Sequence, residues 1–249
     1  MSELRALAQL AAEIAQMAGK QLRAQRAQWA AQENVEGREV KIRADAAAEA
    51  LILPELLART PYGVLSEETG WSGEAGTRFW ALDPLDGSVN YLLGYPHLGV
   101  SIALIEHGQP VCGAFYNFEL EEMYIGAVGA GAEMNGRALR VSSTALASEG
   151  LLATGIPARA LTNQAFAAQM MGRMAAFRKV RMIGSAAAAL CNVAAGRADG
   201  YWERSIMLWD VAAGCALVRA AGGRARIEGN ALDQPLNVTA DNGVLAWPP

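Results

Sequence analysis

The chain has 249 residues, 52% hydrophobic and 18% charged, enough to bury a substantial core in one large domain or two packed halves. That composition excludes disorder, and a formal net charge of −4 argues against a nucleic-acid surface. The apolar runs are too short to span a bilayer and the N-terminus lacks a signal-peptide core, so no membrane association and a cytoplasmic location are expected.

In chain order, Leu4, Leu7, Ala11, Ile14, Ala18 and Leu22 recur at helical spacing with polar residues between them, predicting an amphipathic helix. A second helix is expected from an N-cap at Asp45 through Leu57, broken by Pro61 and Gly63. Residues 78–83 read as a strand ending in a carboxylate. Further strands are expected over 98–105, 111–116 and 123–127, with turns at 106–109 and at Asn135-Gly136. The second half alternates: strands at 151–154, 179–183 and 199–203, and helices at 162–177, 185–195 and 208–221, the last closed by Gly222-Gly223. Strands interleaved with helices predict layered α/β (α+β) packing, in one unit of two halves, about 1–145 and 146–249.

Cys112, Cys191 and Cys215 are odd in number and far apart, and are read as buried reduced thiols. Only His97 and His107 are present, which disfavours a His-rich zinc site or a Ser-His-Asp triad. Both are read as surface or structural residues.

Asp83-Pro84-Leu85-Asp86-Gly87-Ser88-Val89-Asn90 carries the most chemistry. Two acids three apart follow an apolar strand, Pro84 stiffens the backbone, Gly87 permits a sharp turn, and Ser88 can cap a helix whose N–H groups face an anion. Carboxylates beside an anion site repel the anion unless divalent cations intervene. Taken alone, the segment also reads as an ordinary acidic turn before a helix, the lesser of the two accounts. Glu67-Glu68 alone reads as a solvated loop, and Asp210, in Trp209-Asp210-Val211-Ala212-Ala213-Gly214, as a carboxylate favouring a helix dipole. Their co-occurrence is what those local accounts leave unexplained.

With these three segments in this order, the chain resembles the inositol monophosphatase family, within the group that includes fructose-1,6-bisphosphatases and bisphosphate nucleotidases. The resemblance covers most of the chain from about Lys41 onward. It implies an αβαβα sandwich and a soluble Mg²⁺-dependent phosphatase acting on a small phosphate monoester. Glu67, Asp83 and the Leu85 carbonyl would bind a first Mg²⁺, and Asp83, Asp86 and Asp210 a second. A third ion near Glu67 is a family feature, and Mn²⁺ is a possible substitute. Gly87 and Ser88 N–H groups would cradle the phosphate, while Asp45 and Ser88 orient the attacking water. Glu203 would contact a substrate hydroxyl, and Gly184, Ser185 and Ala186 would line the leaving-group pocket. Lithium inhibition and a homodimer are likewise implied.

Such ions lower the pKa of a bound water and stabilise the attacking and leaving oxygens, so direct attack by metal-activated water is expected, the alternative being Asp83 or Asp86 as nucleophile. Two departures stand out: Ser88 replaces the threonine of many relatives, and Ile42 replaces a threonine three residues before Asp45. Inositol-1-phosphate is the family's default substrate; histidinol phosphate, fructose-1,6-bisphosphate and 3′-phosphoadenosine-5′-phosphate compete. The rival of another class is a noncatalytic metal-binding regulatory or scaffold protein.

Overall fold

A computed structural model describes residues 2–30, 32–36, 39–156 and 164–248, with backbone only for 32–36 and 39–42. The elements in order are α1 (Glu3–Ala24), α2 (Arg26–Trp29), β1 (Gln32–Glu36), β2 (Glu39–Ile42), α3 (Arg43–Arg59), β3 (Gly63–Ser66), β4 (Gly70–Ser72), β5 (Arg78–Asp86), α4 (Ser88–Leu93), β6 (Gly99–Glu106), β7 (Gln109–Asn117), β8 (Glu122–Ala127), β9 (Gly131–Met134) and β10 (Arg137–Ala138). They continue as β11 (Leu151–Thr154), α5 (Gln164–Ala176), β12 (Lys179–Arg181), α6 (Ala186–Ala194), β13 (Gly200–Ile206), α7 (Leu208–Ala220), β14 (Arg224–Glu228) and β15 (Leu236–Asp241).

Strands β10-β9-β8-β7-β6-β5-β3-β4 form an eight-stranded sheet, antiparallel except where β3 runs parallel to β5. Strands β12-β11-β13-β15-β14 form a five-stranded sheet, and β1 pairs with β2 in a separate hairpin. Alternate residues of a strand face opposite sides, so one strand feeds two cores. In β5, Trp80 and Leu82 pack with Ile14 and Leu22 of α1 and Ile52 and Leu56 of α3. Its Phe79 and Ala81 pack on the other side with Leu208, Ala212 and Ala213 of α7. Helices α6 and α7 thus fill the space between the sheets, with Leu190, Val193, Val211 and Leu217 meeting Tyr201 and Val238 of the smaller sheet. On that sheet's outer face, Met170 of α5 packs with Leu152 and Trp202. Helices α1 and α3, the large sheet, α6 and α7, the small sheet, and α5 are the layers of the expected αβαβα sandwich.

Several boundaries differ from the sequence reading by one to three residues, and three of the differences bear on local structure. Helix α3 starts at Arg43, so Asp45 lies in its first turn and is not its N-cap. The Asp45 carboxylate is engaged by Ser88. Strand β5 continues past Asp83 to Asp86 because a register shift between those residues lets pairing with β6 resume at Gly99. Strand β12 stops at Arg181, since only residues 179–181 find partners on β11. The expected helix start at Thr162 lies outside the described residues, as does the Ile42 side chain. No described helix is long and apolar enough to cross a membrane. All three cysteines are buried and free.

Candidate functional site

The parallel pair β3 and β5 sets the geometry. Glu67 follows β3 directly, and its N–H donates to the Leu82 carbonyl at 3.2 Å, tying the acidic loop to the strand that delivers Asp83. At the β5 bulge the Leu85 N–H donates to Asp83 Oδ1 at 2.9 Å, and Pro84 has no N–H to satisfy. The chain then reverses through Gly87, whose φ of 91° lies in the left-handed region, and whose missing Cβ would fall 2.9 Å from the His97 carbonyl oxygen. Only glycine fits there. Asp210 arrives from the other half, in the first turn of α7, where its Oδ2 accepts the Met207 N–H at 3.1 Å.

Carboxylate oxygens of Glu67, Asp83 and Asp210 all lie within 4.8 Å of one another. Asp83 is 1% exposed. Burial pushes its carboxyl well above the ordinary range, and Glu67, Asp86, Asp210 and Asp45 push it the same way. Asp210 is raised for the same reasons, burial first and then Glu67 and Asp86. Like charges packed this tightly are costly without a cation. The donor set, hard carboxylate oxygens with no histidine or thiolate, suits Mg²⁺ or Mn²⁺. Opposite ligands of one Mg²⁺ stand about 4.2 Å apart, so small side-chain rotations bring this trio into ligand distance.

Asp86 lies outside that trio but lines the same cavity. Its Oδ2 accepts from Ser185 Oγ at 2.5 Å and from the Ala187 N–H at 2.7 Å, which locks it to the N-terminus of α6. Burial raises its pKa to about 6, against these opposing hydrogen bonds. Ser185 therefore both orients an acid and caps α6, its Oγ accepting the Ala188 N–H at 3.1 Å. Ser88 Oγ lies 2.6 Å from Asp45 Oδ1 and 3.1 Å from the Leu85 carbonyl oxygen, its one proton going to either acceptor. The expected Asp45–Ser88 pair is thus brought together from α3 and α4.

The cavity measures about 590 Å³ and is lined by Glu67, Asp86, Asp210, Gly184, Ser185, Ala186 and Glu203, among others. Glu203 is held on β13 by the Tyr201 hydroxyl, which donates to its Oε2 at 2.6 Å. Gly155 opposite leaves it room, since a Cβ there would fall 2.4 Å from Oε1. Burial raises the Glu203 pKa to about 7, although the Tyr201 hydrogen bond opposes this. Such a group holds a proton in the folded protein that the unfolded chain has lost. The resulting stability is full below the unfolded pKa near 4.5 and disappears as pH rises through about 7. Metal-free protein in EDTA is therefore expected to melt at lower temperature as pH climbs from about 5 to about 8, and Glu203→Gln to flatten part of that slope. An unchanged slope in the variant would contradict this account of Glu203.

Sequence reasoning missed Glu49. It is 3% exposed, one turn after Asp45 on α3, and accepts from Ser66 Oγ and from the Glu68 N–H. Glu49 thus clamps both flanks of Glu67. Its spacing of four from Asp45, inside an otherwise Ala- and Leu-rich helix, was the available signal. Glu49→Gln is expected to weaken divalent-ion binding about tenfold, by analogy with other partners that orient metal ligands, as read by Mn²⁺ titration of the folded variant. Asn90 was singled out only as part of the motif. Its side-chain amide donates to the carbonyls of His97 and Ile183, joining the α4 turn to the loop that carries Gly184. Neither histidine side chain lines the acidic cavity.

A layered αβαβα fold with converging acids at the junction of its two sheets defines a divalent-metal phosphatase of the sugar-phosphatase type. The sequence profile of the inositol monophosphatase family matches residues 3–244, and the chain belongs to that family. It is 44% identical over 183 residues to an inositol-1-monophosphatase of Mesorhizobium japonicum, covering 72% of this chain and 69% of that protein. It is also 41% identical over 181 residues to Nus factor SuhB of Xylella fastidiosa, covering 72% and 66%. The solved inositol monophosphatase of Anabaena superposes with a TM-score of 0.85 at 35% identity, covering 98% of this chain and 93% of that one.

Proposed function

We propose that the protein hydrolyses inositol-1-phosphate or a closely related polyol monophosphate in the presence of Mg²⁺. The observation that carries this reading is the meeting of Glu67, Asp83 and Asp210 within 4.8 Å at the mouth of β5. Glu67, Asp83 and the Leu85 carbonyl would hold one divalent cation and Asp83, Asp86 and Asp210 a second, and these ions would neutralise the phosphate's charge and acidify a bound water. The chain's own groups do the rest. Gly87 and Ser88 N–H groups, at the turn into α4, face the phosphate oxygens. Asp45 accepts the Ser88 proton, which leaves the Ser88 oxygen free to take a proton from the attacking water. Glu203, with Oε2 occupied by Tyr201, presents Oε1 to a hydroxyl of the polyol. Gly184 and Ala186 leave room for the leaving alcohol.

Phosphate release from a panel of monoesters, with Mg²⁺ and with EDTA, tests the reading. Inositol-1-phosphate is expected to have the highest kcat/KM, with no turnover in EDTA. Preference for histidinol phosphate, fructose-1,6-bisphosphate or 3′-phosphoadenosine-5′-phosphate would keep the chemistry and replace the substrate. A second reading, a regulatory protein that binds metal without turnover, draws on the similarity to Nus factor SuhB. No release from any ester would favour it.

A further inference from the structure

On the outer face of the five-stranded sheet, away from the acidic cavity, side chains of three strands stand in register. Arg226 of β14 is opposite Thr239 of β15, which is opposite Trp202 of β13. The next rows place Arg224 opposite Asp241, and Asn237 between Glu228 and Arg204. Arg173 of α5 lies over this face, its guanidinium carbon 4.9 Å from the Trp202 ring centre and 5.7 Å from that of Trp247. Arg204 reaches the Trp202 ring at 5.8 Å. Between them lies a cavity of about 360 Å³ lined by Arg173, Arg224, Arg226, Thr239, Asp241 and Trp247, with Glu228 at one end.

Its charges are unbalanced towards the positive. Three arginines line it against two carboxylates, and Asp241 already accepts from Arg224 at 3.1 Å, from Trp247 Nε1 at 2.8 Å and from the Gly243 N–H at 2.6 Å. Arg173 Nε is buried and, among the described residues, has no hydrogen-bond partner. A buried N–H donor is normally satisfied, so this atom points to a missing acceptor. The two indole rings hold the guanidinium in place before any ligand arrives, which removes part of the ordering cost of binding. Arg224 and Arg226 are exposed and able to swing inward. Guanidinium groups match phosphate oxygens as paired donors, and Thr239 adds a hydroxyl.

We propose that this cavity is a second ligand site, distinct from the metal cavity, that binds a small phosphate-bearing anion through Arg173, Arg224 and Arg226. It occupies the opposite face of the small sheet from α6 and α7, so the two sites are separated by that sheet. The proposal is independent of which ester the acidic cavity hydrolyses.

Inorganic pyrophosphate and adenosine diphosphate, titrated in EDTA to keep them off the metal site, probe it by calorimetry and by tryptophan fluorescence from Trp202 and Trp247. Saturable binding of one equivalent is expected, at least tenfold weaker in Arg226→Gln and in Arg224→Gln. Circular dichroism checks their folding, and Mg²⁺-dependent turnover is expected to be unchanged in both. Equal affinity for the two probes would show that phosphates alone are read; tighter binding of the nucleotide would add an aromatic contact. Absence of saturable binding by either probe would overturn the proposal. So would affinity unaltered in both arginine variants, or affinity lost in Asp210→Asn instead, which would assign the anion to the acidic cavity.

Discussion

Asp83→Asn is expected to lower Mg²⁺-dependent kcat/KM by roughly 10³-fold, equivalent to about 4 kcal/mol of transition-state stabilisation. Asp83 is the buried member of the trio, and its Oδ1 also accepts the Leu85 N–H that shapes the bulge. Asparagine retains that acceptor and the volume, so the turn should survive while one ligand charge is lost. Stability distinguishes this from simple misfolding. Without metal, the variant should melt no lower than the parent, because one of several mutually repelling carboxylates has gone. With metal, the parent should gain about 2.7 kcal/mol at a concentration 100 times Kd, and the variant much less. Parental turnover in the variant, or an equal gain on adding Mg²⁺, would remove Asp83 from the metal site.

Ser88→Ala should reduce kcat by about 10²- to 10⁴-fold with little change in KM, because it removes a group proposed to handle the proton of the attacking water and not one that binds the ester. Asp45→Asn should produce a loss of similar order, since asparagine cannot receive that proton. The two losses should not add, because both residues serve one proton path. Ser88→Thr is the informative control. It keeps the hydroxyl and restricts its rotamer, so activity within a few-fold of the parent is expected. Alanine and threonine variants behaving alike in steady-state assays would exclude a role for the hydroxyl.

Where local pattern and tertiary packing agree, the elements could be read directly. Helix α1 is an example: its apolar spacing needs one face buried, and Ala11, Ile14, Ala18 and Leu22 are buried. The tight turn at Asn135-Gly136 joins β9 and β10 as expected. Strands β14 and β15 were not read, although Ala225 and Ile227, and Leu236, Val238 and Ala240, alternate with polar residues. Their outward faces carry arginine, threonine and asparagine, which weakened the signal against the long apolar strands of the other sheet. The continuation of β5 was hidden for a related reason: Pro84 reads as a strand terminator, and only the pairing of Asp86 with Gly99 shows that the strand survives its bulge.

The linear sequence determined the chemical inventory: the acids Glu67, Asp83, Asp86 and Asp210, the glycine that must turn at 87, a hydroxyl at 88, and the alternation that implies layers. Those facts are local, set by residue type and spacing. What only the tertiary structure decided is which acids share a centre and which are spoken for. Asp83 and Asp210 are 127 positions apart, and their meeting depends on α7 packing against β5 and β6. The stacking of the other layers likewise turns one Asp86 oxygen towards α6, sets Glu49 of α3 behind Glu67, and gathers arginines from two strands and a helix on the far side of the small sheet. Long-range side-chain contacts of this kind have no periodicity to betray them, because they are fixed by how layers stack and not by how neighbours along the chain repeat.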